Sequence, residues 1–217
     1  MARDLEVRTV VDALVDALRV RILGTSLPGG AAVTETDVAR EYDVARPTAK
    51  TAIERLVAEG LLTRGAHRSA RVPVLDARDV ADLYFTRSCV ESAALRQVAA
   101  LPEVPAAAEQ ADAVLREALG RGDTVGFVEA DIAFHRALID ALDAPRLSRL
   151  HGGLLAETRL CMAQVQAHLL LAPDAIVAEH RRILDAVAAR DAEAAATAVE
   201  DHLARARAAL LGHLAQH

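Results

Sequence analysis

Tryptophan is absent from this 217-residue chain, and three phenylalanines and two tyrosines are its whole aromatic complement. That is too few rings for a protein that reads single-stranded RNA by stacking bases. The two cysteines, Cys89 and Cys161, form neither a CxxC pair nor a disulfide framework, which suits a reducing compartment. No apolar run approaches the roughly 18–20 residues needed to span a bilayer. The opening Met1-Ala-Arg-Asp-Leu-Glu is charged and unlike a signal peptide. HExxH, GxSxG and P-loop patterns are missing too. The expectation is a cytoplasmic protein with no membrane partner. What is plentiful is alanine and leucine, in a chain 53% apolar, so helix is the default conformation.

Charge divides the chain. The net charge is −6 overall, but residues 1–74 carry 11 basic and 10 acidic side chains, and residues 75–217 carry 14 and 21. Positions 40–71 hold seven basic residues against four acidic ones, and Lys50, the single lysine, lies among them. A small phosphate-facing surface on an otherwise acidic protein accounts for this, and so does an ordinary solvated mixed-charge face.

The order of elements favours the first reading. Apolar Val10, Val11, Leu14, Leu18 and Ile22 predict a helix over about 7–23 that stops at Gly24. Thr34 and Asp37 predict a capped short helix from Glu35 to about Tyr42. A third helix starts at Arg46, with Pro47 in its first turn, and buries Ala49, Ala52, Ile53, Leu56 and Val57 before Gly60. Leu61–Arg64 and Ser69–Val74, around a turn at residues 65–68, read as a two-stranded wing. Together these make a winged helix-turn-helix for double-stranded DNA. Arg46, Thr48, Lys50, Thr51 and Arg55 face away from the core of the third helix, where they can reach bases and phosphates; Arg68 and Arg71 supply the wing.

On Leu27-Pro-Gly-Gly and on Val38 through Leu62, with its Ala-Arg-Pro-Thr-Ala-Lys core and Glu-Gly-Leu end, the segment resembles the DNA-binding domain of the GntR family of bacterial transcription regulators. The resemblance places Arg46 at the family's first DNA-contacting arginine. Lys50 stands for a second arginine, Ala45 for a serine and Ser69 for a wing glycine. Lysine lacks arginine's bidentate fork, so these departures bear on the operator sequence rather than the fold.

Residues 75–217 predict a bundle of six antiparallel helices, at about 76–100, 104–120, 124–142, 145–171, 174–190 and 192–214, making the protein mostly α. Ionisable residues interrupt their apolar stripes: Arg87 and Glu91 on the first, Asp131 and His135 on the third, His180 on the fifth, His202 on the sixth. Buried ionisable groups are costly unless paired, hydrogen-bonded or bound to metal. Asp131 and His135 are four apart and point the same way. Three imidazoles and a carboxylate suit a divalent transition metal, zinc or nickel, with one or two coordination positions left open. Ordinary readings stand beside this: satisfied core histidines, an aspartate at a stripe edge, an intrahelical Arg87–Glu91 pair. His213 also falls near a stripe; His67, His151, His168 and His217 read as solvent-exposed.

The motif Asp131-Ile-Ala-Phe-His135, followed by Glu179-His180 and Asp201-His202, resembles the FCD ligand-binding domain of the FadR-type branch of that family. The resemblance implies a metal held by Asp131, His135, His180 and His202, with Arg87 and Glu91 at the family's matching positions. It also implies a homodimer on a palindromic operator, answering to a small organic acid. Arg87 can bind a carboxylate of that acid, with Thr158 and Arg159 completing the pocket. Asp143 replaces an asparagine common in the family. Two other readings remain: a purely structural metal with a different effector, and a metal-dependent hydrolase with Glu91 as general base.

Overall fold

Residues 9–65, 68–168 and 170–216 are described by the computed structural model. They lie in two compact units, Met1–Val74 and Leu75–His217.

Thr9 opens α1 (Val10–Leu23) with a capping box: its hydroxyl accepts from the Asp12 amide while the Asp12 carboxylate accepts from the Thr9 amide. Positions 7 and 8 of the expected helix fall outside the described residues. After β1 (Ala32–Val33), Thr34 caps α2 (Glu35–Glu41), and α3 (Arg46–Ala58) begins with proline in its first turn. Both α1 and α2 pack on α3. Leu14, Leu18, Ile53, Leu56, Leu61 and Leu62 are buried, each worth up to about 1.5–3 kcal/mol of hydrophobic stabilisation.

The wing differs from the expected hairpin. β2 (Ala70–Arg71) pairs antiparallel with β1, Ala32 opposite Arg71 and Val33 opposite Ala70. Thr63 meets Arg71 through a single bridge on the other side. A segment to which the sequence assigns no element thus supplies the main strand partner, because two residues give no periodicity to detect.

The second unit is six helices: α4 (Ala77–Val98), α5 (Ala106–Arg121), α6 (Thr124–Asp140), α7 (Pro145–Ala167), α8 (Pro173–Ala188) and α9 (Ala192–Leu214). Aspartates cap three of the starts. Asp76 builds a capping box with Asp79, while Asp123 and Asp191 accept from the Gly126 and Ala194 amides. Gly122, at φ 65°, ends α5 in the left-handed conformation and releases the chain into α6. α7 ends four residues before the position expected from sequence, ahead of the turn into Pro173. α4 packs on α9, α5 on α6, α6 on α7 and α8 on α9, around Tyr84, Leu95, Phe134, Leu138, Ile183 and Leu203.

Candidate functional site

In the helical unit, α6 carries Asp131 and His135 on its buried face, α8 carries His180 and α9 carries His202. All four are at most 4% exposed. One ligand atom from each comes within 4.8 Å of the others. His135 Nε2 faces His202 Nε2 at 3.2 Å, and His180 Nε2 faces Asp131 Oδ1 at 3.3 Å. Asp131 Oδ1 and His180 Nε2 are buried with no hydrogen-bond partner. The His180 ring stacks on Phe134, centroids 3.9 Å apart, which fixes its plane. Inward nitrogens and a carboxylate oxygen that meet only one another are the donor set of a divalent transition ion, so these residues fit one.

Two of the three outer nitrogens have partners. His135 Nδ1 lies 2.7 Å from Glu91 Oε2, and His202 Nδ1 lies 2.6 Å from Glu179 Oε2. If each Nδ1 carries the proton and donates it, both Nε2 lone pairs face the cluster. Glu91 Oε1 accepts from Arg87 Nε at 2.7 Å and faces His151 Nε2 at 3.1 Å.

That geometry bears on several expectations. Glu91 is engaged on both oxygens by Arg87, His135 and His151, so it orients a ring. His151 is 1% exposed rather than solvent-exposed, because α7 brings it onto Glu91. Thr158 and Arg159 have other partners: the Thr158 hydroxyl donates to the Leu154 carbonyl, and Arg159 Nε donates to Glu129 at 3.1 Å. Arg87 Nη2 is buried and has no hydrogen-bond partner. Beside it is a residue that sequence reading left in the apolar stripe. Tyr84 has a buried, unpartnered hydroxyl, and the Arg87 guanidinium lies 5.5 Å from its ring centroid. Asp112 and Glu179, both buried, were also unmarked. His168 is exposed; His67 and His217 lie outside the described residues.

Burial lowers His135 to about 4, against the pull of Glu91, and lowers His180 against the pull of Asp131. Burial alone would raise Glu91, but Arg87 and His135 hold it well below the usual carboxylate range. The sign follows. The unfolded chain protonates His135 near 6.5 while the folded chain resists to about 4, so stability falls as pH drops through that window and levels off below it. For metal-stripped protein, the expected loss between pH 7 and pH 4 is roughly 3 kcal/mol from this ring alone. Melting curves at stepped pH check it; a flat profile contradicts a neutral buried His135.

In the N-terminal unit, Arg46, Lys50, Thr51 and Arg68 are exposed and Thr48 is half-buried. Arg46, Arg64 and Arg68 line one cavity of about 330 Å³ with Thr34, Glu35 and Ser69. Thr51 donates to the Pro47 carbonyl, and Lys50 Nζ lies 3.7 Å from Glu54. Two arginines are otherwise engaged: Arg55 Nη1 donates to Asp12 at 2.5 Å, and Arg71 Nη1 donates to the Gly30 carbonyl at 2.8 Å.

Residues 10–72 match the family of bacterial regulatory proteins of the gntR type, and residues 82–205 match the FCD domain. The chain is 29% identical over 201 residues to the probable D-xylose utilization operon transcriptional repressor of Paenarthrobacter nicotinovorans, spanning 90% of this chain and 86% of that one. It is 30% identical over 192 residues to an HTH-type transcriptional regulator in an unstable DNA locus of Streptomyces ambofaciens, spanning 86% and 78%. Among solved structures, a GntR transcriptional regulator from Rhodococcus sp. RHA1 is similar at TM-score 0.73 and 28% identity, over 93% of this chain and 97% of that one. McbR/YncC of E. coli shares the fold at TM-score 0.73 and 17% identity, over 94% and 98%. Winged helix-turn-helix, helical second unit and both family matches together place the chain in the GntR family of bacterial transcriptional regulators with an FCD effector-binding domain, DNA-binding regulators and not enzymes.

Proposed function

We propose that this regulator binds a palindromic operator as a homodimer and answers to a small organic acid at a metal-assisted site. The observation that carries the proposal is the buried cluster of inward ligand atoms, within 4.8 Å of one another, on three helices. Asp131, His135, His180 and His202 would hold a divalent transition ion, zinc or nickel, which supplies positive charge and an open position for a carboxylate. Arg87 Nη2 and the Tyr84 hydroxyl, both buried and unpartnered, give an acid two further donors. Their neutral or cationic character suits an anion; an apolar effector would leave both unsatisfied.

In the same proposal, residues 1–74 bind DNA and residues 75–217 bind effector and partner. Arg46, Thr48, Lys50, Thr51 and Arg68 contact DNA, with Arg55 and Arg71 held in intramolecular bonds until DNA competes for them. A palindrome demands a twofold dimer, so that two recognition helices meet two half-sites. Effector binding shifts the bundle and with it their spacing. The regulator represses, as the name of the Paenarthrobacter nicotinovorans relative says of that protein, and it works in the cytoplasm; among the described residues no helix is long and apolar enough to cross a membrane. A purely structural metal is the second reading, favoured by how deeply all four ligands are buried.

The two readings separate in a thermal-shift titration of zinc-loaded protein with mono- and dicarboxylates, repeated after chelation. The sensor predicts stabilisation by one acid class, roughly 3 kcal/mol at a hundredfold excess over Kd, lost on chelation. No response to any acid, together with a large loss of stability on chelation, establishes the structural reading instead.

A further inference from the structure

Each ring of the cluster has an outer nitrogen to satisfy, and two of the three do so in the same manner. From His135 the chain of contacts runs through Glu91 to Arg87. From His202 it runs through Glu179 to Arg205. In both, a buried carboxylate takes Nδ1 on one oxygen and a guanidinium on the other. His180 is the exception, since its Nδ1 is buried without a hydrogen-bond partner.

On α5, which packs against α8, a second orphan is found. Asp112 is 1% exposed. Its Oδ2 accepts from Arg116 Nε at 3.2 Å, but its Oδ1 is buried and unpartnered. An ordinary i,i+4 pair on a solvated face does not explain this, because the Arg116 side chain is 56% exposed while the carboxylate is withdrawn to 1%. A carboxylate gains nothing by leaving water for a partner that stays in it. The Asp112 charge also acts on His180.

We propose that Asp112 is the positioning residue of His180: its Oδ1 accepts the Nδ1 proton through one bridging water, and a third ring–carboxylate–arginine chain, His180–Asp112–Arg116, is completed. The inference rests on the cluster being a metal site. A carboxylate on Nδ1 fixes the tautomer, keeps the Nε2 lone pair facing Asp131 and makes the ring a more basic ligand. Around the cluster the chain then places three carboxylates and three arginines, so the outer shell adds no net charge. Without it, His180 has no built-in means of choosing which nitrogen carries its proton.

Cobalt(II) titration of the metal-stripped full chain tests this, with Asp112→Ala, Asp112→Asn and Arg116→Ala beside wild type and metal-free melting curves for each. Asp112→Ala is expected to weaken cobalt 10–100-fold and alter its visible spectrum, while the metal-free melting temperature changes little, because losing the desolvation cost of a buried carboxylate offsets the lost Nδ1 bond. Asp112→Asn, whose amide oxygen still accepts from the bridging water, is expected to restore most of the affinity and the wild-type spectrum. Arg116→Ala is expected to change affinity by only a fewfold. Wild-type affinity and spectrum in Asp112→Ala overturn the proposal. So does equal weakening in the alanine and asparagine variants with a matching drop in metal-free stability, which is the mark of a packing role. If wild-type protein takes no cobalt, zinc or nickel, the metal reading itself fails, and this inference with it.

Discussion

Chelating the metal from the full-length protein is expected to lower its melting temperature by about 10 °C, and His180→Gln to lower it by a similar amount with no further drop on chelation. The magnitude follows from mass action. A ligand that binds only the folded state stabilises it by about 4 kcal/mol when free ion stands a thousandfold above Kd. For chains of about 150–250 residues each kcal/mol moves the midpoint by roughly 2–4 °C. The cluster gives reason to expect tight retention: its four ligand residues are buried, and two of the rings are already oriented by Glu91 and Glu179. Metal removal leaves Asp131 Oδ1 and His180 Nε2 buried with only each other, at 3.3 Å, in reach, which adds an internal penalty of up to about 1–3 kcal/mol for each group. The cycle of variant against chelation separates this from packing, because His180 also stacks on Phe134. A variant that is destabilised yet still loses 10 °C on chelation means His180 packs and something else binds.

Which parts of this site sequence exposes, and which it conceals, has a physical cause. Asp131 and His135 are legible because a helix places i and i+4 on one face, and His180 and His202 because each interrupts an apolar stripe. The structure brings those four together. The residues behind them carry no such mark. Glu179 has charged Arg181 and Arg182 close by and no spacing that marks it as buried; only α9 laid across it makes it a partner of His202. His151 follows exposed Leu150, and its burial comes entirely from α7 approaching Glu91. Asp112 with Arg116 mimics a surface i,i+4 pair. A reader counting carboxylates on stripe edges would have found Asp112 and Glu179, but also many solvated ones. In the N-terminal unit the three helices follow from caps and periodicity, whereas β1 does not: two residues define no period, and its pairing with β2 is a tertiary event. Long periodic elements announce themselves; second contacts do not.

Arg46→Ala is expected to weaken binding at least a hundredfold to an operator duplex selected from random sequence by the wild-type protein, with no change in melting temperature. Arg46 is the first residue of α3, whose N-cap, Ala45, offers no side-chain bond and whose first turn holds no acidic residue. Among the described residues no ion pair holds the guanidinium, and the helix presents it, exposed, beside Arg64 and Arg68 in the same cavity. A bidentate arginine–guanine pair discriminates by about 1–3 kcal/mol, and a twofold complex loses the contact twice, hence the expected size. Surface replacement away from core and caps changes stability by within about 0.5 kcal/mol. Arg55→Ala makes the informative contrast: its guanidinium is already bound to Asp12, so its removal should cost DNA affinity far less while loosening α1 from α3. Anisotropy titrations at two salt concentrations read both effects. A phosphate-only role for Arg46 would show as a shallower salt dependence with unchanged preference among sequences. A base contact would show as relaxed specificity at one position in each half-site. Full retention of affinity in Arg46→Ala would refute its place in the interface and shift the burden of recognition to Lys50 and the wing.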